Sequence, residues 1–186
     1  MPHVCPPWIG RLLLCPGRKV FENPQAILGP YVRNGMTVLE PGCAMGYFTL
    51  PLARMVGPNG RVVALDVQQP MLDSLSRRAG RAGLADRIDM RLVECERMDI
   101  EDLAGAVDFA AAINVVHETP DPGCFLGEIY GALKPGRRLL IAEPGFHVSA
   151  AAFRKTMALA AESGFSLESE GKVGFRRLAV LERKAA

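Results

Sequence analysis

Hydrophobic positions change period several times along the chain. Val38-Leu39 and Arg61-Val62-Val63-Ala64-Leu65 are short strand-like runs ending on acids, Glu40 and Asp66. Between them Phe48, Leu52, Met55 and Val56 recur at the spacing of one helical face, and Gly57-Pro58-Asn59-Gly60 supplies a stop and a turn. The pattern predicts a β-α-β unit whose helix runs over about Tyr47–Val56. A second helix follows the second strand, opened by Pro70, carrying Met71, Leu72, Leu75 and Ala79 on one face and closed by Gly80 or Gly83. Arg77, Arg78 and Arg81 fall on the opposite face, where solvent is the simplest neighbour.

Ile88, Met90 and Leu92 alternate with Asp89 and Arg91, as a strand at a sheet margin should, whereas Val107–Ile113 reads as a buried central strand. Asp121-Pro122 opens a helix with the stripe Phe125, Leu126, Ile129, Tyr130, Leu133, closed by Lys134-Pro135-Gly136. Arg138–Ala142 is a fifth strand. Ser149 caps a helix carrying Phe153, Met157, Ala160 and Ala161, ending at Gly164. Two last strands, about Phe165–Glu170 and Phe175–Glu182, are joined by a short link. Alternation of strand and helix implies a parallel α/β sheet with helices on both faces, and the closing hairpin implies an antiparallel last strand.

At 186 residues one domain is expected, and 49% hydrophobic with 23% charged residues excludes a disordered chain. Phe109–Val116, the longest uncharged apolar run, is less than half a membrane span, so no membrane-spanning segment is expected. A net charge of +2 provides no general field for nucleic acid or anionic lipid. Five dispersed cysteines without a CxxC pair argue against a disulfide framework or zinc knuckle and fit reduced thiols in a cytoplasm, and no metal site is expected. Residues 1–34 are the proline-rich, irregular part, and 35–186 the folded domain. The first 22 residues hold Trp8 among apolar residues and are expected to form a lid or one wall of a pocket.

The chemistry concentrates after the first strand, in Glu40-Pro41-Gly42-Cys43-Ala44-Met45-Gly46. Glycines there let the backbone turn sharply and a ligand approach the amides at the helix start, and Asp66 at the end of the second strand is placed to accept both hydroxyls of a ribose. A dinucleotide fingerprint would need glycines at Ala44 and Tyr47, and both are absent. An acid ahead of the glycines suits a cationic ligand instead, and Glu40 supplies it.

The run Val38–Thr49 resembles the first motif of class I S-adenosylmethionine-dependent methyltransferases, with Asp66 similar to their second-strand acid. Asp108–Ile113 with Asn114-Val115-Val116-His117-Glu118 looks like their fourth strand and its lip, and Leu133-Lys134-Pro135-Gly136 like their turn before strand five. The resemblance covers about Gly35–Glu182. It implies a Rossmann-like seven-stranded sheet of order 3-2-1-4-5-7-6, S-adenosyl-L-methionine as cofactor, and methyl transfer to a small, apolar acceptor at O, C or S. The pattern is similar to the small-molecule branch that includes ubiquinone and menaquinone biosynthesis enzymes.

The implied cofactor contacts are Glu40, Gly42, Cys43, Ala44, Gly46, Asp66, Val67, Cys95, Glu96 and Asn114. Ala44 stands where the family usually has glycine. His117 is the catalytic candidate, either taking a proton from a substrate hydroxyl or merely bonding the helix start at Asp121; Glu143 and His147 are either site residues or a solvated loop. The Asn/Asp-Pro-Pro-Tyr motif of exocyclic-amine methyltransferases is absent, so no nucleic-acid partner is expected. A monomer or homodimer is expected, and a non-catalytic cofactor-binding subunit is the alternative.

Overall fold

The computed structural model describes residues 22–185. The expected lid over the first 22 residues, with Trp8, lies outside the described residues apart from Glu22. Strands are β1 (Thr37–Pro41), β2 (Arg61–Asp66), β3 (Ile88–Leu92), β4 (Val107–Ile113), β5 (Leu133–Pro144), β6 (Phe165–Val173) and β7 (Arg176–Arg183). They stand in the order β3-β2-β1-β4-β5-β7-β6, the Rossmann-like arrangement the resemblance implies. The helices are α1 (Pro24–Leu28), α2 (Thr49–Met55), α3 (Gln69–Ala82), α4 (Pro122–Ala132) and α5 (Ala150–Glu162). No helix among the described residues is long and apolar enough to cross a membrane.

The described residues fall into two compact units, one ending at Val93 and the other beginning at Glu94. In the first, β1, β2 and β3 are parallel, with Val38 opposite Val62, Leu39 opposite Val63 and Val62 opposite Ile88. β1 and β2 are buried almost throughout, whereas Leu92 on β3 is exposed, as a marginal strand allows. α3 buries the predicted face, Met71, Leu72, Leu75 and Ala79, and stops at Gly83 in the left-handed conformation (φ 65°). Gly80 is inside the helix. α2 starts two residues later than the periodicity predicts because the loop before it keeps its own turn, with the Gly46 amide donating to the Cys43 carbonyl at 3.0 Å.

In the second unit β5 runs parallel to β4, and β7 is antiparallel to both β5 and β6. Leu133 pairs with Val107 and Arg138 with Phe109, so Lys134–Arg137 bulge out of the ladder. The predicted turn thus lies inside β5 rather than ahead of it, and Lys134 Nζ reaches Asp108 Oδ1 at 2.7 Å. Both predicted caps form: Asp121 Oδ1 accepts from Cys124 N at 3.0 Å and Ser149 Oγ from Ala152 N at 3.1 Å.

The last carbonyls of α4 are satisfied from β7. Arg183 Nη1 donates to the carbonyls of Tyr130 (2.7 Å), Gly131 (3.0 Å) and Leu133 (2.5 Å), and its guanidinium lies 4.8 Å from the Tyr130 ring centroid. Replacing Arg183 with Ala is expected to lower unfolding free energy by about 1.5–3 kcal/mol, the scale of charge-assisted bonds. Lys should recover only part, since an ammonium lacks the planar fork. Urea titration of the three proteins measures this.

Candidate functional site

β1 delivers Glu40 and Pro41 to the start of a loop that turns on three left-handed residues within five positions, Gly42 (φ 71°), Ala44 (φ 47°) and Gly46 (φ 82°). A Cβ on Gly46 would meet Leu75 Cδ1 at 2.4 Å, so any side chain there would displace the buried Leu75. The neighbouring elements hold the loop. Cys43 N donates to the Leu65 carbonyl (2.9 Å), Ala44 N to Asp66 Oδ2 (2.8 Å), and the Arg78 guanidinium to the Met45 carbonyl. Asp66 Oδ1 accepts from Gln68 N at 2.9 Å. Arg78, expected on the solvated face of α3, is therefore half-buried and clasps the loop.

Burial dominates the electrostatics of this group. Glu40 is 4% exposed, and its pKa is pushed up to about 8 by desolvation, against the Thr49 hydroxyl, which favours its charged form, and with the Asp66 charge, which opposes it. Neither Glu40 Oε2 nor Thr49 Oγ1 reaches a partner in hydrogen-bonding geometry. Asp66 is raised by burial too, against the amides of Gln68, Ala44 and Val67, which favour its carboxylate; Val67 itself is exposed. Burial, with Glu40 and Asp66, pushes the Cys43 thiol well up, so it serves packing rather than nucleophilic chemistry. A buried carboxyl oxygen without a donor, beside a turn of left-handed backbone, fits a ligand that brings cationic charge and polar hydrogens.

In the second unit the residues beyond β4 form another group. Asn114 is left-handed (φ 58°), donates its amide to the Ala142 carbonyl at 2.8 Å, and accepts at Oδ1 from Arg176, a 5% exposed residue of β7. His117 does not bond the start of α4. Its Nδ1 is 2.5 Å from Glu143 Oε2, and Glu143 Oε1 accepts from Val116 N at 3.0 Å. Glu143 is 1% exposed at the end of β5, not part of a solvated loop. The His147 ring lies 5.1 Å from that of His117, and Nε2 of His117 is 3.9 Å from Glu118 Oε1, too far for a hydrogen bond.

Burial lowers the His117 pKa, but the Glu143 bond and the charges of Glu143 and Glu118 outweigh it, and the net shift is upward. Cys95 is half-buried, its thiol raised by burial and by Glu96 and Glu118, and Glu96 is exposed. No group of three or more His, Cys, Asp or Glu among the described residues could hold a metal ion. Sequence reading missed Arg78, Arg176 and Glu128, whose carboxylate accepts from Met98 N at 3.0 Å and Asp99 N at 3.2 Å. Only the arginine and acid positions themselves were visible, without partners.

A sequence profile of the family described as "Methyltransferase domain" matches residues 33–172. The chain belongs to the SAM-dependent methyltransferase family. Within this family it is 30% identical over 112 residues to a demethylmenaquinone methyltransferase of Lactobacillus johnsonii, covering 60% of this chain and 45% of that protein. It is also 30% identical over 112 residues to the ubiquinone/menaquinone biosynthesis C-methyltransferase UbiE of an Enterobacter species, covering 60% and 44%. The methyltransferase chain thus spans less than half the length of these curated relatives. The solved structure of a SAM-dependent methyltransferase from Aquifex aeolicus superposes with a TM-score of 0.85 at 24% identity, covering 96% of this chain and 98% of that one. S-adenosylmethionine is the cofactor of the family.

Two outcomes follow for this methyltransferase domain. In the ligand-free protein Glu40 binds its proton more tightly folded than unfolded, so from its ordinary value of 4.5 to about 8 the unfolded state carries fewer protons and stability falls as pH rises. Below that window both states are protonated, and above it the full cost is present. The stability difference between Glu40→Gln and wild type should therefore grow in favour of the variant across this window, as thermal melts at stepped pH will record. Ala44→Gly should raise stability by about 0.5–1 kcal/mol, because relief of a left-handed alanine exceeds the entropy cost of glycine. Urea unfolding measures it, and a loss of stability would show that Ala44 is unstrained.

Proposed function

We propose that the chain transfers the methyl group of S-adenosylmethionine to a small-molecule acceptor, with the cofactor held by the first unit. The observation that carries this reading is the buried, partnerless Glu40 Oε2 at the mouth of the left-handed loop. Glu40 would meet the cationic end of the cofactor, the backbone of Gly42–Gly46 would line its path, and Asp66 would accept ribose hydroxyls with the lone pairs its amide bonds leave over. When bound, the cofactor supplies an already activated methyl group on a sulfonium.

The protein's own work is then positioning and exclusion of water, and orientation alone is worth about 7–11 kcal/mol of barrier. The names of the Lactobacillus and Enterobacter relatives support a small acceptor of the quinone-precursor kind. The free thiols of Cys43, Cys95 and Cys124 support a reducing, cytoplasmic setting.

Calorimetry tests the reading without needing turnover. At pH 7 the free protein holds Glu40 mostly protonated, given a pKa of about 8, and a cationic ligand favours its carboxylate. Binding of S-adenosylmethionine should therefore release a proton, seen as a heat that varies with the ionisation enthalpy of the buffer, and Glu40→Gln should abolish that variation. Absence of any binding heat would sink the proposal.

A further inference from the structure

β6 is the end strand of the sheet order, and among the described residues it pairs with β7 alone, so its other edge carries unpaired backbone. The strand contains no proline, and every residue from Leu167 to Val173 is exposed, Leu167 at 52% and Val173 at 49%. A bulge between Leu167 and Ser169 interrupts the ladder near its start, and Glu168 there is already held by Arg138 of β5 at 2.5 and 2.8 Å. From Ser169 to Val173 the pairing with β7 is regular. Gly171 is the middle of that run.

The hairpin decides which groups face the free edge. Gly174 (φ 57°) and Phe175 form a two-residue turn between Val173 and Arg176, so those two residues are a hydrogen-bonded pair. Alternation then directs the N–H and C=O of Gly171 and Ser169 to β7 as well, and turns those of Glu170 and Lys172 outward. The side chains of Glu170 and Lys172 share one sheet face. Within the hairpin Lys172 stands opposite Arg177, a like charge, and Glu170 opposite Ala179, which has none. Neither charge is matched across the ladder.

We propose that β6 pairs antiparallel with β6 of a second copy of the chain, about a twofold axis at Gly171. In this register Glu170 of each copy exchanges both backbone bonds with Lys172 of the other, and the two side chains meet as opposite charges, once on each side of the axis. A residue on the axis faces its own like, and glycine brings neither charge nor bulk there; a Cβ on Gly171 would meet nothing within 4 Å in its own chain, so that space is open. Moving the axis by one residue sets Glu170 against Glu170 or Lys172 against Lys172. The charges therefore select one register, and Val173 in it lies opposite Ser169 of the other copy. A strip this short buries less than a standard interface of about 1,600 Å², which makes the dimer concentration-dependent rather than permanent.

Sedimentation velocity on the full chain should show monomer passing to dimer as concentration rises, and hydrogen exchange should show the outward amides of Glu170 and Lys172 gaining protection with it. Lys172→Glu and Glu170→Lys each set like charges opposite one another and should weaken self-association by about tenfold or more, without lowering the melting temperature of the dilute chain, since both side chains are exposed. Mixed together, the two single variants are complementary and should associate as wild type does. The double variant, Glu170→Lys with Lys172→Glu, should pair with itself but not with wild type. A chain that stays monomeric at every concentration, a dimer indifferent to either single variant, or single variants that fail to associate on mixing would each overturn the proposal. Protection of Glu170 and Lys172 that does not change with concentration would overturn it too, because the edge would then be covered by another segment of the same chain.

Discussion

The bond from Ala44 N to Asp66 Oδ2, 2.8 Å long, joins the loop after β1 to the end of β2 across 22 positions of sequence. A turn that needs three left-handed residues, one of them alanine, is costly as free chain; the alanine alone costs about 1–2 kcal/mol. Asp66 offsets that cost by giving the strained residue's amide an acceptor that burial has stripped of water. Arg78 does the same for the Met45 carbonyl next door, so donor and acceptor of adjacent residues are held by β2 and α3 respectively. The loop's geometry is therefore set by its neighbours as much as by its glycines. Amides favour the Asp66 carboxylate, yet burial still wins and its pKa is raised, which leaves the group with something to gain from further donors.

Two buried glutamates show how environment divides one side-chain chemistry into two tasks. Glu143 has an amide on one oxygen and an imidazole on the other, so both oxygens are engaged and it fixes a ring. Glu40 is nearly as buried but has one oxygen without a donor, and it responds by holding a proton. Removing a partner from the first would leave an uncompensated group. Supplying a cation to the second would complete one. The first arrangement is a finished device, the second one that waits for a ligand.

Most of the fold was legible because strand and helix periods alternate cleanly and because caps are local: Asp121 and Ser149 bond residues three positions away, within the reach of a sequence pattern. The loop motif was legible for the same reason, since Gly42 and Gly46 carry their conformation in their identity. Where partners are distant, sequence failed. Arg78 looked solvated on its helical face, but its long stem reaches sideways to Met45, and helical periodicity records only the direction of Cβ. Glu143 and Glu128 are acids whose burial depends on amides from other segments, Val116 in one case and Met98 and Asp99 in the other. The bulge at Lys134–Arg137 read as a turn because Pro135 and Gly136 are turn residues in either setting.

Asn114 shows how such a distant partner changes a residue's role. Asparagine tolerates the left-handed backbone that ends β4, its amide is used on Ala142 of β5, and Arg176 of β7 takes its side-chain oxygen. Arg176 stands opposite Pro144, one position beyond Glu143, so the register of β7 against β5 decides where the guanidinium arrives. Arg176 takes one of the two lone pairs on that oxygen, and the NH2 group of Asn114 keeps its donors for a ligand. A one-residue slip of β7 would turn Arg176 to the other face of the sheet and release that oxygen, so the orientation of the Asn114 side chain is held by a hairpin more than fifty residues further along the chain.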